Sequence, residues 1–524
     1  MAWRADEDIP GYADTVVIGA GPAGAALAGR LAERSDRSVL VLEAGPDYGP
    51  FDGGGWPAEF LDARVMPVNT HDWGYVSVAK YGVKDLALDR ARVMGGCSSH
   101  NGAAAVYGHV EDYDGWERMG NPGWGADRVR ALFQAAGAQM RVATPARNEV
   151  TPFHQASLDA APAAGIPLVP ELNTLDLEVG MAIGPANIWN GVRWNGAFAY
   201  LDPVRSKGNL TIRGNVLADR LVLQGNRVVG LDVIGPNGPA RIETRQVVLC
   251  GGTYGSPMLL MRSGIGAADE LRALGIEPRH ALPGVGQNLH DHPIIQVIFT
   301  GTPELIREME AWEAAGGQLR EEGTIAKVRS SYCTTAYDLQ LYPLDSRAPG
   351  SWSADRHLSA AGNWIFGIPA SNMVPRSRGS IRLSESGPES KPIIDHAYLT
   401  DVDDLDVNVL VDGIELARNL AAQSPLARWL ERETSPGAGL TRRADLVEHV
   451  RRNSTHDYHP VGTCSMGPSS DPMAVVSGDG QVHGLEGLYV ADASIMPVVP
   501  RANTNIPAAV VGEKIAADLL RAGR

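Results

Sequence analysis

The segment Asp14–Gly45, DTVVIGAGPAGAALAGRLAERSDRSVLVLEAG, constrains the fold more than any other part of the chain. Thr15–Ile18 is a short apolar run and reads as a buried strand. Gly19-Ala-Gly21-Pro-Ala-Gly24 follows at once, and Ala25–Glu33 then reads as a helix rich in small residues. Ser38–Leu42 is a second buried strand, ended by Glu43. Gly19 permits a tight turn, Gly21 lets a pyrophosphate approach the backbone, and Gly24 lets the helix lie against the sheet. The helix N-terminus offers free N–H groups to phosphates. Glu43 is placed to accept hydrogen bonds from ribose hydroxyls. Strand, turn, helix and acid in this order identify a dinucleotide site. This segment alone leaves FAD and NAD both open.

Length requires more than this one unit: 524 residues exceed a single core, and two or more domains are expected. A formal net charge of −15 argues against nucleic acid and anionic membrane surfaces as partners. No apolar stretch is long enough to span a bilayer, and the opening MAWRADEDIPGYAD has no apolar signal region. Cys97, Cys250, Cys333 and Cys464 are scattered without metal-ligand spacing, so neither disulfides nor a metal site are expected. The expectation is a soluble cytoplasmic protein.

Further along, Ala91–Gly102, ARVMGGCSSHNG, is a compact polar loop suited to a flat ligand. Asp112–Ala136 reads as helical with a break at Asn121–Gly125, and Thr151–Gly165 as a helix. Leu210–Ile212, Asp219–Leu223, Val228–Val233 and Ala240–Thr244 read as strands of an antiparallel excursion, with Gln246–Cys250 returning as a separate buried strand. Met258–Ser263 reads as a helix beginning after Pro257. Glu304–Gln318 and Val402–Ala422 read as helices, and Tyr337–Leu341, Asn363–Pro369 and Gly379–Leu383 as strands of a second domain. Near the C-terminus come Asp457–Gly467, Gly487–Ser494 and Pro500–Asn505, then a closing helix, Ile506–Leu520. Leu488–Val490 is a buried strand with Asp492 just beyond its end, where open α/β sheets bind ligands.

Six blocks in order carry a resemblance: GAGPAGAALAGRL with Glu43, RVMGGCSSHNG, GGTYGSPMLLMRSGIG, PGVGQNLHDH, YHPVGTCSMG and LYVADASIMP…NTN. Over essentially its whole length the chain resembles the glucose–methanol–choline (GMC) family of flavoenzymes, nearest the choline-oxidase and hydroxymethylfurfural-oxidase-like branch. The resemblance implies an α/β (α+β overall) fold, with a Rossmann-like FAD-binding domain and a substrate domain whose antiparallel sheet is capped by helices. The expected segments are 1–155, 205–297 and 452–524 for FAD and 156–204 and 298–451 for substrate.

It also implies FAD as the dinucleotide. Gly19, Gly21, Gly24 and Glu43 match the ADP site, and Ala218 falls where the family's backbone touches adenine. Gly95, Gly96, Asn101 and Gly102 match the loop along the ribityl chain and isoalloxazine, and Asp492 and Ala493 the site by the pyrophosphate and ribityl oxygens. His100 matches the histidine that, in the choline-oxidase-like branch, is bonded covalently to the flavin 8α carbon. The alternative is a loop histidine that only packs on the cofactor.

His459 and Asn503 match the active-site pair. Alcohol oxidation removes a hydroxyl proton and a hydride; imidazole suits the first task, and an amide donor steadies a developing alkoxide. Asn does not titrate, so His459 carries the acid–base work alone. His290 and His292 are expected to tie the PGVGQNLHDH loop together. If Asp457–His459 is extended, Asp457 and His459 share a face. Asp457 then binds a substrate hydroxyl or amine, or pairs with a neighbouring basic group. Trp364, Phe366 and Ile368 share a strand face and, with Tyr342, line an apolar pocket or fill an ordinary core. In choline oxidase a glutamate follows the DHP triplet; here Ile294 does, which disfavours choline. The implied activity is alcohol oxidation to aldehyde or ketone, with oxygen (making hydrogen peroxide) or a quinone-like molecule as acceptor. The alternative of another class is a non-redox, hydroxynitrile-lyase-type enzyme that carries FAD.

Overall fold

The computed structural model describes residues 8–78, 85–320, 323–346 and 364–523. Two principal sheets, each with its own apolar core, organise the chain. In the first, the strands Leu210–Arg213, Val39–Leu42, Tyr12–Ile18 and Gly238–Leu249 lie side by side and parallel. Val39–Leu42 is VLVL, buried at every residue, as befits a strand covered on both faces. The helix Pro22–Arg34 starts directly after the Gly-rich turn, with Gly21 as N-cap and Pro22 at its first position. Its small residues let it approach the closing helix Asn505–Arg521, where a Cβ at Gly512 would lie 2.1 Å from the Ala23 carbonyl oxygen.

The strand Gly238–Leu249 departs from the sequence reading. Two strands were expected at Ala240–Thr244 and Gln246–Cys250; one 12-residue strand spans both. Its first half pairs antiparallel with Arg227–Gly235, and its second half pairs parallel with Leu488–Val490. Thr244 and Gln246 interrupt the apolar run, yet both are buried and bonded within the sheet: Thr15 Oγ1 donates to Gln246 Oε1 at 3.0 Å. A second departure is the helix Gly252–Arg262, which contains Pro257. A proline disturbs the carbonyl four residues back. Here that carbonyl, Thr253, accepts instead from Thr463 Oγ1.

The second sheet has six strands, in the order Thr455–His456, Pro293–Ile295, Ala370–Asn372, Leu339–Leu341, Thr324–Val328 and Gly180–Ile183. Neighbours are antiparallel throughout. Ala326, Val328, Leu339, Leu341 and Ala370 share a core with Leu410 and Ile414 of the helix Leu405–Ala421. Alternation turns Gln340 and Ser371 to the opposite face. There Gln340 Nε2 donates to the Arg501 carbonyl at 3.3 Å and Ser371 Oγ to Asp457 Oδ2 at 2.8 Å. That face carries the C-terminal loop of the first unit. The Ala197–Val204 segment packs with the first core and Phe153–Ile166 with the second.

Trp364, Phe366 and Ile368 all lie in the second core, the two aromatic rings stacked with centroids 6.2 Å apart. Asn363, the expected start of that strand, lies outside the described residues. Among the described residues, no helix is long and apolar enough to cross a membrane.

Candidate active site

A cavity of about 290 Å³ runs from the first Gly-rich turn to the C-terminal loops. Its walls include Gly19, Gly21, Glu43, Gly96, His100, Asn101, Gly102, Ala218, Asp492 and Ala493 from the expected cofactor site, with Asp457, His459 and Asn503. Residues more than 400 apart in the chain therefore meet because Tyr12–Ile18 and Leu488–Val490 flank the same strand. Gly24 and Gly95 serve packing instead: a Cβ at Gly24 would lie 2.0 Å from the Gly19 carbonyl oxygen, and one at Gly95 2.3 Å from Ser99 Oγ. Tyr342, Trp364 and Phe366 are not brought to this cavity. Tyr342 packs with Val106, Ile294 and Ile325, and its hydroxyl bonds Gln340.

The cavity fits FAD. Gly21 has an ordinary extended conformation, φ −63 and ψ −178, and a Cβ there would meet nothing within 4 Å. The space that its missing side chain leaves belongs to the cavity. The Glu43 carboxylate accepts from Ala20 N at 3.0 Å and Gly45 N at 2.9 Å, which fixes it at the strand tip; burial pushes its pKa up to about 7. Asp492 holds the second turn: Oδ2 accepts from Gly252 N and Ser256 Oγ, and Oδ1 from Ser494 N. His100 is 5% exposed, and its Nδ1 has no hydrogen-bond partner among the described residues. Burial and the Arg90 guanidinium lower its pKa to about 3, so the imidazole is neutral.

His459 is 8% exposed and has four close neighbours. Its Nε2 lies 3.3 Å from Asn503 Nδ2, its Nδ1 3.1 Å from His292 Nδ1 and 3.6 Å from Asp457 Oδ2, and its backbone N–H donates to Asp291 Oδ1 at 2.9 Å. Burial, then His292, Arg90 and His456, hold its pKa well below the usual imidazole value. A neutral imidazole is thus ready to accept a proton across the neutral range.

The Asp457–His459 segment is not extended. Tyr458 has φ +61, a left-handed conformation that is costly for an aromatic residue. It is held by its hydroxyl donating to Asp89 Oδ2 at 3.1 Å and by Arg90 Nη1 donating to its carbonyl at 3.3 Å. Asp457 and His459 still converge, through this kink rather than through strand alternation.

His292 and Asp291 are the functional neighbours that sequence reasoning missed. His290 does tie loops together, bonding the Asn288 carbonyl and Val499 N. His292, two residues on, instead bonds His459. The signal available was the DHP triplet, Asp291-His292-Pro293, which sets a carboxylate directly beside a second imidazole.

This fold and site define an α/β oxidoreductase that binds a dinucleotide against a substrate-side antiparallel sheet. Family profiles described as GMC oxidoreductase match residues 13–294 and 375–512. The chain belongs to the GMC oxidoreductase family and is accordingly an FAD-dependent enzyme acting on CH–OH donors. It is 34% identical over 544 residues to the mitochondrial choline dehydrogenase of Homo sapiens, covering 97% of this chain and 89% of that one. It is 33% identical over 537 residues to the choline oxidase of Arthrobacter globiformis, covering 98% and 94%. Among solved structures, pyridoxine 4-oxidase from Mesorbium loti superposes with a TM-score of 0.84 at 29% identity, covering 97% of this chain and 99% of that one.

Proposed function

We propose that the protein is an alcohol oxidase in which His459 is the base and Asn503 its partner at the substrate oxygen. The observation that carries this reading is the buried, neutral imidazole whose Nε2 pairs with Asn503 in the wall of the FAD cavity. An alcohol entering beside them gives its hydroxyl proton to His459 Nε2. The Asn503 amide donates to the oxygen as negative charge develops there, and both groups are already desolvated. FAD, when bound, supplies the acceptor for the hydrogen and two electrons lost from the alcohol carbon. The product is an aldehyde or ketone. His100 is assigned the covalent link to the flavin: its ring is neutral, buried and in the cavity wall.

The same reading assigns residues 1–155, 205–297 and 452–524 to the FAD domain and 156–204 and 298–451 to the substrate domain; the two separate cores support a division into two units, though Ala197–Val204 packs with the first core and Phe153 with the second. Choline is not the proposed substrate. This rests on the resemblance alone: Ile294 follows the Asp291-His292-Pro293 triplet, where choline oxidase has a glutamate. The test is a panel of aryl, alkyl, polyol and amino alcohols, read as flavin bleaching without oxygen and as peroxide with it. Bleaching with peroxide supports the oxidase. Bleaching that only a quinone-like acceptor reverses makes it a dehydrogenase, and no bleaching by any alcohol favours a non-redox lyase.

A further inference from the structure

The contact between His459 and His292 through Nδ1 of each ring poses a question of protons. Only one of two facing ring nitrogens carries hydrogen, and heavy-atom positions alone admit two arrangements. In the first, the Asn503 amide donates to His459 Nε2 and His459 Nδ1–H donates to His292 Nδ1. His292 then carries its proton on Nε2, which has no hydrogen-bond partner among the described residues. In the second, the Asn503 amide is turned over, so that its oxygen accepts from His459 Nε2–H, and His292 Nδ1–H donates to His459 Nδ1. Both arrangements satisfy the contacts at 3.1 Å and 3.3 Å. Only the first puts the lone pair on Nε2, where a substrate hydroxyl that takes the place of the Asn503 N–H can be deprotonated while Asn503 turns its donor to the substrate oxygen.

We propose that Asp457 is the positioning residue that selects the first arrangement. Its Oδ2 faces His459 Nδ1 at 3.6 Å. A carboxylate oxygen there attracts a proton on Nδ1 and repels a lone pair, so the second arrangement sets two lone pairs against each other. The carboxylate is itself fixed: it is 4% exposed, and Ser371 Oγ of the substrate-side sheet donates to the same Oδ2 at 2.8 Å. The Tyr458 kink, tied down by Asp89 and Arg90, aims it at the ring. Ser371, Asp457 and His459 thus form a relay of orientation from the sheet to the base, and the negative charge also steadies the imidazolium formed when the substrate proton arrives. The other groups facing His459 are His292, His456 and Arg90, which all oppose protonation, and Asp291, which bonds its backbone N–H. Asp457 is the carboxylate that faces the imidazole ring itself.

This inference rests on His459 being the base, and the test separates the two. In the FAD-bound enzyme, Asp457→Asn is close in shape but removes the charge. The account expects the limiting rate of anaerobic flavin reduction to fall about 100-fold, with the substrate concentration for half-saturation changed less than about twofold. Ser371→Ala, which leaves the carboxylate in place but unanchored, is expected to fall in the same direction by less, and covers the case in which Asp457→Asn does not fold. The readout independent of turnover is the tautomer: 15N spectra of histidine-labelled, oxidised holoenzyme should show His459 protonated on Nδ1 in the wild type. In Asp457→Asn they should show it shifted toward Nε2. An Asp457→Asn enzyme whose reduction rate is unchanged, or whose loss lies in half-saturation alone, overturns the proposal; the latter makes Asp457 a substrate-binding group. If His459→Ala also reduces at the wild-type rate, the base assignment has failed. If His459→Ala is dead and Asp457→Asn is not, the inference alone has failed.

Discussion

Gly21 separates what the Gly-rich turn does for the fold from what it does for the cofactor. Its φ of −63 and ψ of −178 suit any residue, so Gly21→Ala carries no backbone strain. A Cβ there meets no protein atom within 4 Å and projects into the cavity. The apoprotein should therefore melt within about 1 °C of wild type, since a surface-like change with no clash costs within about 0.5 kcal/mol. FAD should bind more weakly, because a methyl group now occupies the approach of the pyrophosphate. Forcing one extra methyl into a filled site costs about 1–3 kcal/mol, or roughly 5- to 150-fold in Kd. The assay is FAD titration of apoprotein in a His100→Ala background, so that any covalent link does not mask the equilibrium, with melts of both apoproteins. Gly24→Ala is the contrast. Its Cβ would lie 2.0 Å from the Gly19 carbonyl oxygen and 2.9 Å from Cys250 Cβ, and the nearer of these is backbone that does not rotate away. It should lower the apoprotein's own stability by about 1–3 kcal/mol or more. Gly21→Ala binding FAD as tightly as its parent, or destabilising the apoprotein as Gly24→Ala does, would refute the reasoning.

His100 as the flavin link predicts a fluorescent band in denaturing gels of the purified enzyme and none in His100→Ala; a dark wild-type band contradicts it. Asp345, buried in the substrate unit with Thr151 donating to it, has its pKa raised by burial to about 7 from an unfolded value of 3.8. The native state then holds a proton that the unfolded chain releases, so its stabilising contribution is complete below about pH 4 and is lost as pH rises through 7. Asp345→Asn should match wild type near pH 4 and exceed it at pH 8 by up to about 4 kcal/mol. Parallel melting curves at the two pH values would show that Asp345 is not protonated in the fold.

The first unit was legible because its chemistry is local. Thr15–Ile18, the glycines and Glu43 are contiguous, and their roles follow from turn, dipole and strand tip. The single strand Gly238–Leu249 was not legible, because Thr244 and Gln246 look like a break until their cross-strand partners are known. Pro257 reads as a helix boundary for the same reason: the replacement donor, Thr463, lies 210 residues beyond the Thr253 carbonyl it serves. Within the site, the residue types at His459 and Asn503 pointed to acid–base work. The partners of His459 were hidden, since His292 arrives from the other sheet and Asp457 arrives through a left-handed Tyr458. The stripe Trp364, Phe366, Ile368 shows the limit of alternation: it gives a shared face and does not say which face meets a ligand.

The central claim, that His459 removes the alcohol's proton beside FAD, is tested most directly by one stopped-flow comparison. Wild type and His459→Ala, both with FAD bound, are mixed without oxygen with an alcohol that bleaches the wild-type flavin. The account predicts that His459→Ala keeps its FAD and its fold while flavin reduction slows by about 100- to 10,000-fold. Reduction of His459→Ala at a rate near that of the wild type would contradict it.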